Sequence, residues 1–215
     1  MKKVSLKQQA YEFIKAKIIN CEYPPSSFIN EEMLREEIGA SRTPIREALT
    51  RLEQENLVKI LPKKGIMIAD VSMKEINMIY EARLLIEPYI IMTYGTQLDK
   101  DALFAMRQDF VNQKKDTSQS MSSDDSFHQL LIDTCPNRYL KQTYEQTYNQ
   151  NRRLRILSGN NIERRLVESL DEHILIIDHL LQEDFQQAAQ YMRRHLESAR
   201  SAAFRLLVLN GGGNL

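Results

Sequence analysis

The 215-residue chain has no tryptophan, two cysteines, six prolines and seven glycines, and its 29 basic residues are balanced by 29 acidic ones. Each scarcity excludes something. Cys21 and Cys135 are too few and too far apart for a disulfide framework, so reduced thiols are expected. No apolar run approaches the ~20 residues that cross a bilayer as a helix, so no membrane partner is expected. Met1-Lys2-Lys3 leads into an amphipathic segment, not the apolar core of a signal peptide, so a cytoplasmic protein is expected. A formal net charge of zero excludes a polycation acting through its global field. Residues 1–70 carry twelve basic against ten acidic residues, so nucleic-acid binding would have to rest on local placement of charge.

What is present is a turn and helix at Ile38-Gly39-Ala40-Ser41-Arg42-Thr43-Pro44-Ile45-Arg46-Glu47-Ala48-Leu49, running on to Arg51 and Leu52. Asn30 can cap a helix over residues 31–38, with acids in its first turn where the helix dipole favours them. Gly39 suits the left-handed position that closes it. Thr43 is expected to cap the next helix, with Pro44 at its first position, where no N–H is needed. Ile45, Ala48, Leu49 and Leu52 then form one apolar face. Two helices around a short Gly-containing turn make a helix-turn-helix, whose second helix reads DNA with its N-terminal residues. Arg42, Thr43 and Arg46 stand there, and an arginine fork matches guanine or phosphate. Arg51 extends the basic set. Leu6, Ala10, Phe13, Ile14 and Ile18 predict a supporting helix over residues 5–20. Leu57–Ile60 and Gly65–Ile68 predict two strands around Pro62-Lys63-Lys64-Gly65, a wing whose lysines suit phosphate.

Beyond Asp70 the texture becomes helical. Ser72 and Glu75 form a capping box for a helix through Glu87, bent by Pro88. Further helices are expected over about 99–114, 124–134, 137–157, 162–183 and 185–209, with a polar loop at 116–123. The expected architecture is mainly α: a winged helix-turn-helix over 1–70, an all-α antiparallel bundle over 71–210, and a flexible tail over 211–215.

The four histidines, at 128, 173, 179 and 195, all lie in the second part. Asp124 and His128 share a helix face. With His173 and His195 they offer three imidazoles and a carboxylate, a ligand set for a divalent transition metal such as Zn, Mn, Ni or Fe, zinc taken first. Asp125 is an alternative carboxylate, and the four-residue step favours Asp124.

Residues 5–70 resemble the winged helix-turn-helix of the gluconate-repressor (GntR) family of bacterial transcription regulators. The resemblance rests on Ser41-Arg42-Thr43-Pro44-Ile45-Arg46-Glu47-Ala48-Leu49, Arg51-Leu52-Glu53 and Leu57-Val58. It implies operator contacts from Arg42, Thr43 and Arg46 and a wing marked by Gly65. Two positions depart from the family: Glu32 stands where a basic residue is common, and Asn56 where glycine is common, although Asn tolerates a left-handed backbone. Asp124-Asp125-Ser126-Phe127-His128, Glu172-His173-Ile174 and Met192-Arg193-Arg194-His195-Leu196, with Glu81-Ala82-Arg83 and Glu87, are similar to the all-helical FCD ligand-binding domain of the FadR-type branch. In that branch a metal helps hold a small carboxylate effector. The resemblance therefore implies Asp124, His128, His173 and His195 as ligands, leaves His179 out, and makes Arg83 the first effector-binding arginine, with Arg152 and Arg155 as further candidates.

The expected function is a DNA-binding transcription regulator, usually a repressor, acting as a homodimer on palindromic double-stranded DNA and modulated by a small carboxylate. One alternative is a metal-dependent enzyme built on the Asp/His3 set, against which no general base stands beside it. Another is a metal-free regulator of apolar or acyl ligands, against which all four ligand positions are filled.

Overall fold

In the computed structural model, residues 5–114, 120–158 and 163–209 are described. The tail at 211–215, the first half of the expected polar loop (116–119) and the break at Gly159-Asn160 lie outside them; its second half, 120–123, is not loop but the start of a helix that runs over Ser120–Thr134. The chain divides into two compact units: Met1–Ser72 with Asn149–Leu157, and Met73–Tyr148 with Ser158–Leu215.

The N-terminal unit holds α1 (Leu6–Ile19), β1 (Phe28–Ile29), α2 (Glu31–Ile38), α3 (Arg42–Gln54), β2 (Val58–Leu61) and β3 (Gly65–Ile68). Asn30 accepts a hydrogen bond from the Met33 amide at 2.8 Å, and Gly39 closes α2 at φ 69°, as the caps require. The start of α3 differs from expectation. It begins at Arg42 after Ser41, so Thr43 is inside the helix and Pro44 is its third residue. The proline still falls in the first turn, where amides have no partner within the helix. Asn56 takes the left-handed conformation expected of it, at φ 57°. The sequence reading missed β1, which pairs antiparallel with β3 and makes a sheet of order β1-β3-β2. Ala10, Ile14 and Ile18 from α1 meet Ile45, Leu49 and Leu52 from α3 in one core closed by Leu57, Ile66 and Ile68. Asn149–Leu157 joins this unit through Gln150, which donates to the Asn56 carbonyl at 3.0 Å, and fully buried Arg153, which donates to the Ala69 carbonyl at 2.5 Å.

The helical unit is built from α4 (Met73–Tyr94), α5 (Lys100–Gln113), α6 (Ser120–Thr134), the first part of α7 (Arg138–Ser158), α8 (Glu163–Leu181) and α9 (Phe185–Leu209). Helix α9 packs along α4 and α8, α5 packs on α8, and α6 packs against α4, α5 and α8. Pro88 does not end α4. It has no N–H for the Leu84 carbonyl four residues back, and Arg193 of α9 donates to that carbonyl at 3.2 Å instead. The substitute donor ties α9 to α4 at the level of the histidines.

Candidate nucleic-acid interface and metal centre

Helix α3 turns its apolar side inward and leaves Arg42, Thr43 and Arg46 exposed at its N-terminal end. Arg46 is not loose: its Nε donates to Glu31 Oε1 at 2.7 Å. The wing turn places Lys63 at φ 64° and Gly65 at φ 101°. A Cβ on Gly65 would also stand 3.1 Å from the Ile29 carbonyl, so glycine serves both the turn and the β1–β3 pairing. Between wing and reading helix runs a groove of about 460 Å³ lined by Glu31, Arg46, Thr50, Lys63 and Gly65, among others. Arg51 is not brought to this face. It lies about 140° round the helix from Arg46, with its guanidinium 3.6 Å from the centre of the Tyr11 ring and bonded to Glu55 and Gln8. It holds α3 to α1.

In the helical unit, α6 supplies Asp124 and His128, α8 His173, and α9 His195; one donor atom from each lies within 4.8 Å of the others. Asp125 is outside the cluster, and His179 stacks on Tyr191 instead. All three clustered imidazoles are buried. His173 Nε2 stands 3.3 Å from His195 Nε2 and 3.5 Å from Asp124 Oδ1. Two donors bound to one zinc at about 2.1 Å in tetrahedral geometry would be about 3.3 to 3.5 Å apart. The His128 Nε2 atom is buried without a hydrogen-bond partner, an expensive arrangement unless it serves as a lone-pair donor. The N3O donor set and this orphaned nitrogen both fit a divalent transition metal.

Two carboxylates that the sequence reading did not assign orient these rings. Glu87 Oε2 faces His128 Nδ1 at 2.6 Å, and Glu172 Oε2 faces His195 Nδ1 at 2.7 Å. Such partners fix the tautomer and turn Nε2 toward a metal. Each carboxylate has its own arginine: Arg83 Nε on Glu87 at 2.6 Å and Arg165 on Glu172 at 2.7 Å. Burial works to raise the Glu87 pKa, but Arg83 and His128 outweigh it and hold it at about 2. Burial holds His173 well below its ordinary value, and its neighbour His195 adds to the shift. His195 is also lowered by burial, against the opposing pull of Glu172. Neutral imidazoles are the form that ligates. His173 is seated on Phe110, ring centroids 5.1 Å apart, and leans on Phe127.

Arg83 is thus beside the cluster, four residues from Glu87 and buried. Arg152 and Arg155 belong to the Asn149–Leu157 segment of the N-terminal unit, where Arg152 reaches Asn20 Oδ1 at 3.5 Å.

A reading helix with exposed arginines at its N-terminus, beside a lysine-tipped wing, defines a DNA-binding transcription regulator. Comparison gives the family: residues 6–68 match the model for bacterial regulatory proteins of the gntR family, and residues 78–198 match the FCD domain. The chain belongs to the GntR family, in the branch that carries an FCD domain. It is 28% identical over 193 residues to the uncharacterised HTH-type transcriptional regulator YdhC of Bacillus subtilis, covering 87% of this chain and 86% of that one. It is 24% identical over 195 residues to the HTH-type transcriptional repressor RspR of Escherichia coli, covering 88% and 85%. A GntR regulator from Rhodococcus shares the fold at a TM-score of 0.78 and 18% identity, covering 94% of this chain and 98% of that one. Family and relatives are transcription regulators, not enzymes, which sets aside the metalloenzyme alternative. No helix among the described residues is long and apolar enough to cross a membrane.

Proposed function

We propose that this regulator is a homodimeric repressor of a palindromic operator, whose DNA affinity is set by a small carboxylate held at a divalent-metal site in the helical unit. The convergence of His128, His173, His195 and Asp124, with donors within 4.8 Å, carries the reading. Those four residues would hold the cation, zinc first. Once bound, it would supply coordination positions open to a carboxylate oxygen. Arg83 would add a charge-assisted hydrogen bond to the same acid. On the DNA side, Arg42, Thr43 and Arg46 read base edges, Lys63 and Lys64 take phosphates, and Gly65 keeps the wing turn. The RspR relative is named a repressor, which supports that direction of control.

A second copy of the chain is the partner that two half-sites require. Met78, Leu85, Tyr89 and Met92 are exposed on one face of α4, a stripe of large apolar groups suited to a two-fold contact.

The test is elemental analysis of untagged protein with a shift assay on DNA upstream of its own gene. About one metal per chain, lost in His173→Ala, with retardation that a carboxylate relieves, is the expected result. Full metal occupancy in His173→Ala would sink the ligand assignment. Retardation by wild-type protein without metal would move the effector to metal-free ligands.

A further inference from the structure

The wing carries Lys63 and Lys64 at its tip and stands on two feet, Asn56 just before β2 and Ala69 just after β3. The feet are tied together where the Ala69 amide donates to the Leu57 carbonyl at 3.0 Å. One face of α7 holds both. Gln150 donates to the Asn56 carbonyl at 3.0 Å, and Arg153 donates to the Ala69 carbonyl at 2.5 Å, from positions 94 and 84 residues further along the chain. The two props are locked to each other, because Arg153 Nη1 donates to Gln150 Oε1 at 2.7 Å. Gln150 is 5% exposed and Arg153 0%, so these bonds lie away from water. An apolar side chain would fill such a place at less cost. What an amide and a guanidinium add is direction, since each bond fixes where a particular carbonyl sits.

We propose that Gln150 and Arg153 are positioning residues for DNA binding, which set the angle at which the wing presents Lys63 and Lys64 to the phosphates. This rests on the reading of those lysines as phosphate contacts. The strands give the props leverage. β2 and β3 have four residues each. At about 3.4 Å per residue the tip stands about 13 Å from the feet, so a tilt of about 10° at the feet moves the tip by about 2 Å. A lysine displaced that far passes out of hydrogen-bond reach of its phosphate. The other ties act elsewhere: Glu53 Oε1 of α3 accepts from the Ile60 amide at 2.8 Å, and β1 pairs with β3 at Phe28 and Ile29. Those ties hold the middle of the hairpin, whereas α7 holds its feet.

The slope of log affinity against log salt, measured on the full chain with a long random-sequence duplex, tests this, because each lost phosphate contact lowers it by about 0.9. Gln150→Glu keeps an acceptor for Arg153 and removes the donor to Asn56, while Arg153→Met removes the donor to Ala69. Each should lower the slope by about 1 per chain. Neither should lower it further in a chain that also carries Lys63→Ala and Lys64→Ala. A merely structural role would lower the unfolding temperature and leave the slope of the folded protein unchanged. That outcome, with the lysine pair still lowering the slope, overturns the assignment and leaves the wing reading standing. A fall that adds to that of the lysine pair would place the effect on another part of the interface and also overturn it. A wild-type slope in the lysine-pair variant overturns both readings. If Arg153→Met does not fold, Gln150→Glu carries the test.

Discussion

Replacing Glu87 by glutamine changes one buried charge and almost no volume. Its carboxylate is fully buried, accepts from Arg83 Nε at 2.6 Å and faces His128 Nδ1 at 2.6 Å. Two oxygens serve two N–H groups, but an amide has one oxygen and an NH2. One contact must therefore fail. If the NH2 turns to Arg83, a guanidinium 4% exposed is left without its counter-charge. Breaking a buried pair in this way costs about 3–5 kcal/mol, a large part of the 5–15 kcal/mol that roughly spans domain stability. If the NH2 turns to His128, the imidazole must accept at Nδ1 and carry its proton on Nε2, the atom that would ligate. Loss of such an orienting carboxylate costs about 10–100-fold in metal affinity, or roughly 1.4–2.7 kcal/mol. Zinc competition against a chromophoric chelator reads the second effect, and urea unfolding of metal-free protein reads the first. Adding Arg83→Met to Glu87→Gln removes the stranded charge and frees the amide oxygen to accept from His128 Nδ1–H, so it should recover part of the stability and part of the zinc affinity. Zinc affinity within twofold of wild type and an unchanged urea midpoint would refute the linkage of Arg83, Glu87 and His128.

The remaining predictions concern DNA and assembly. Arg46→Ala should weaken operator binding by about 1–3 kcal/mol and relax base preference, whereas Arg51→Ala should lower the unfolding temperature with little change in base preference; equal effects in a shift assay would contradict the division made by Tyr11. Removing Lys63 and Lys64 together should reduce the slope of log affinity against log salt by about 3 to 4 in a dimer, four phosphate contacts at roughly 0.9 each; an unchanged slope would take the wing off the backbone. Leu85→Glu, at a side chain 67% exposed on the α4 stripe, should leave each chain folded and shift sedimentation toward the monomer; an unaltered sedimentation coefficient would assign that stripe another role.

Most helices were legible because their signals are local. Asn30 and Gly39 act on amides and carbonyls a few residues away, and both occupy the ends expected of them. What escaped depends on distant partners. Strand β1 is two residues long and exists because β3 lies beside it. Asn149–Leu157 reads as the middle of an ordinary helix; only burial against Asn56 and Ala69 assigns it to the N-terminal unit. The cluster's histidines stood out because the chain has so few. Glu87 and Glu172 entered only as members of family-like segments, without a role, since glutamate is common and their partners lie 41 and 23 residues away on other helices. A signal for Glu87 was available: an Arg and a Glu four residues apart, both on the apolar side of α4, must bury as a pair or not at all.

The same attention to placement explains how a chain of zero net charge can face a polyanion. In the N-terminal unit, acids are spent on the basic residues that face away from the reading edge: Lys15 on Glu55, Lys17 on Glu37, Arg51 on Glu55 and Lys7 on Glu47. At that edge Arg42, Lys63 and Lys64 form no ion pair among the described residues and remain exposed. The surplus of two over the first 70 residues thus understates the local field. The exception is Arg46, held by Glu31 at the start of α2. That bond fixes the side chain at the mouth of the groove before any DNA arrives. It reduces both the attraction to phosphate and the rotamer freedom lost on binding. If Arg46 contacts a base edge as proposed above, a fork held by Glu31 loses less rotamer freedom on meeting a base that matches its geometry, which favours the matched site.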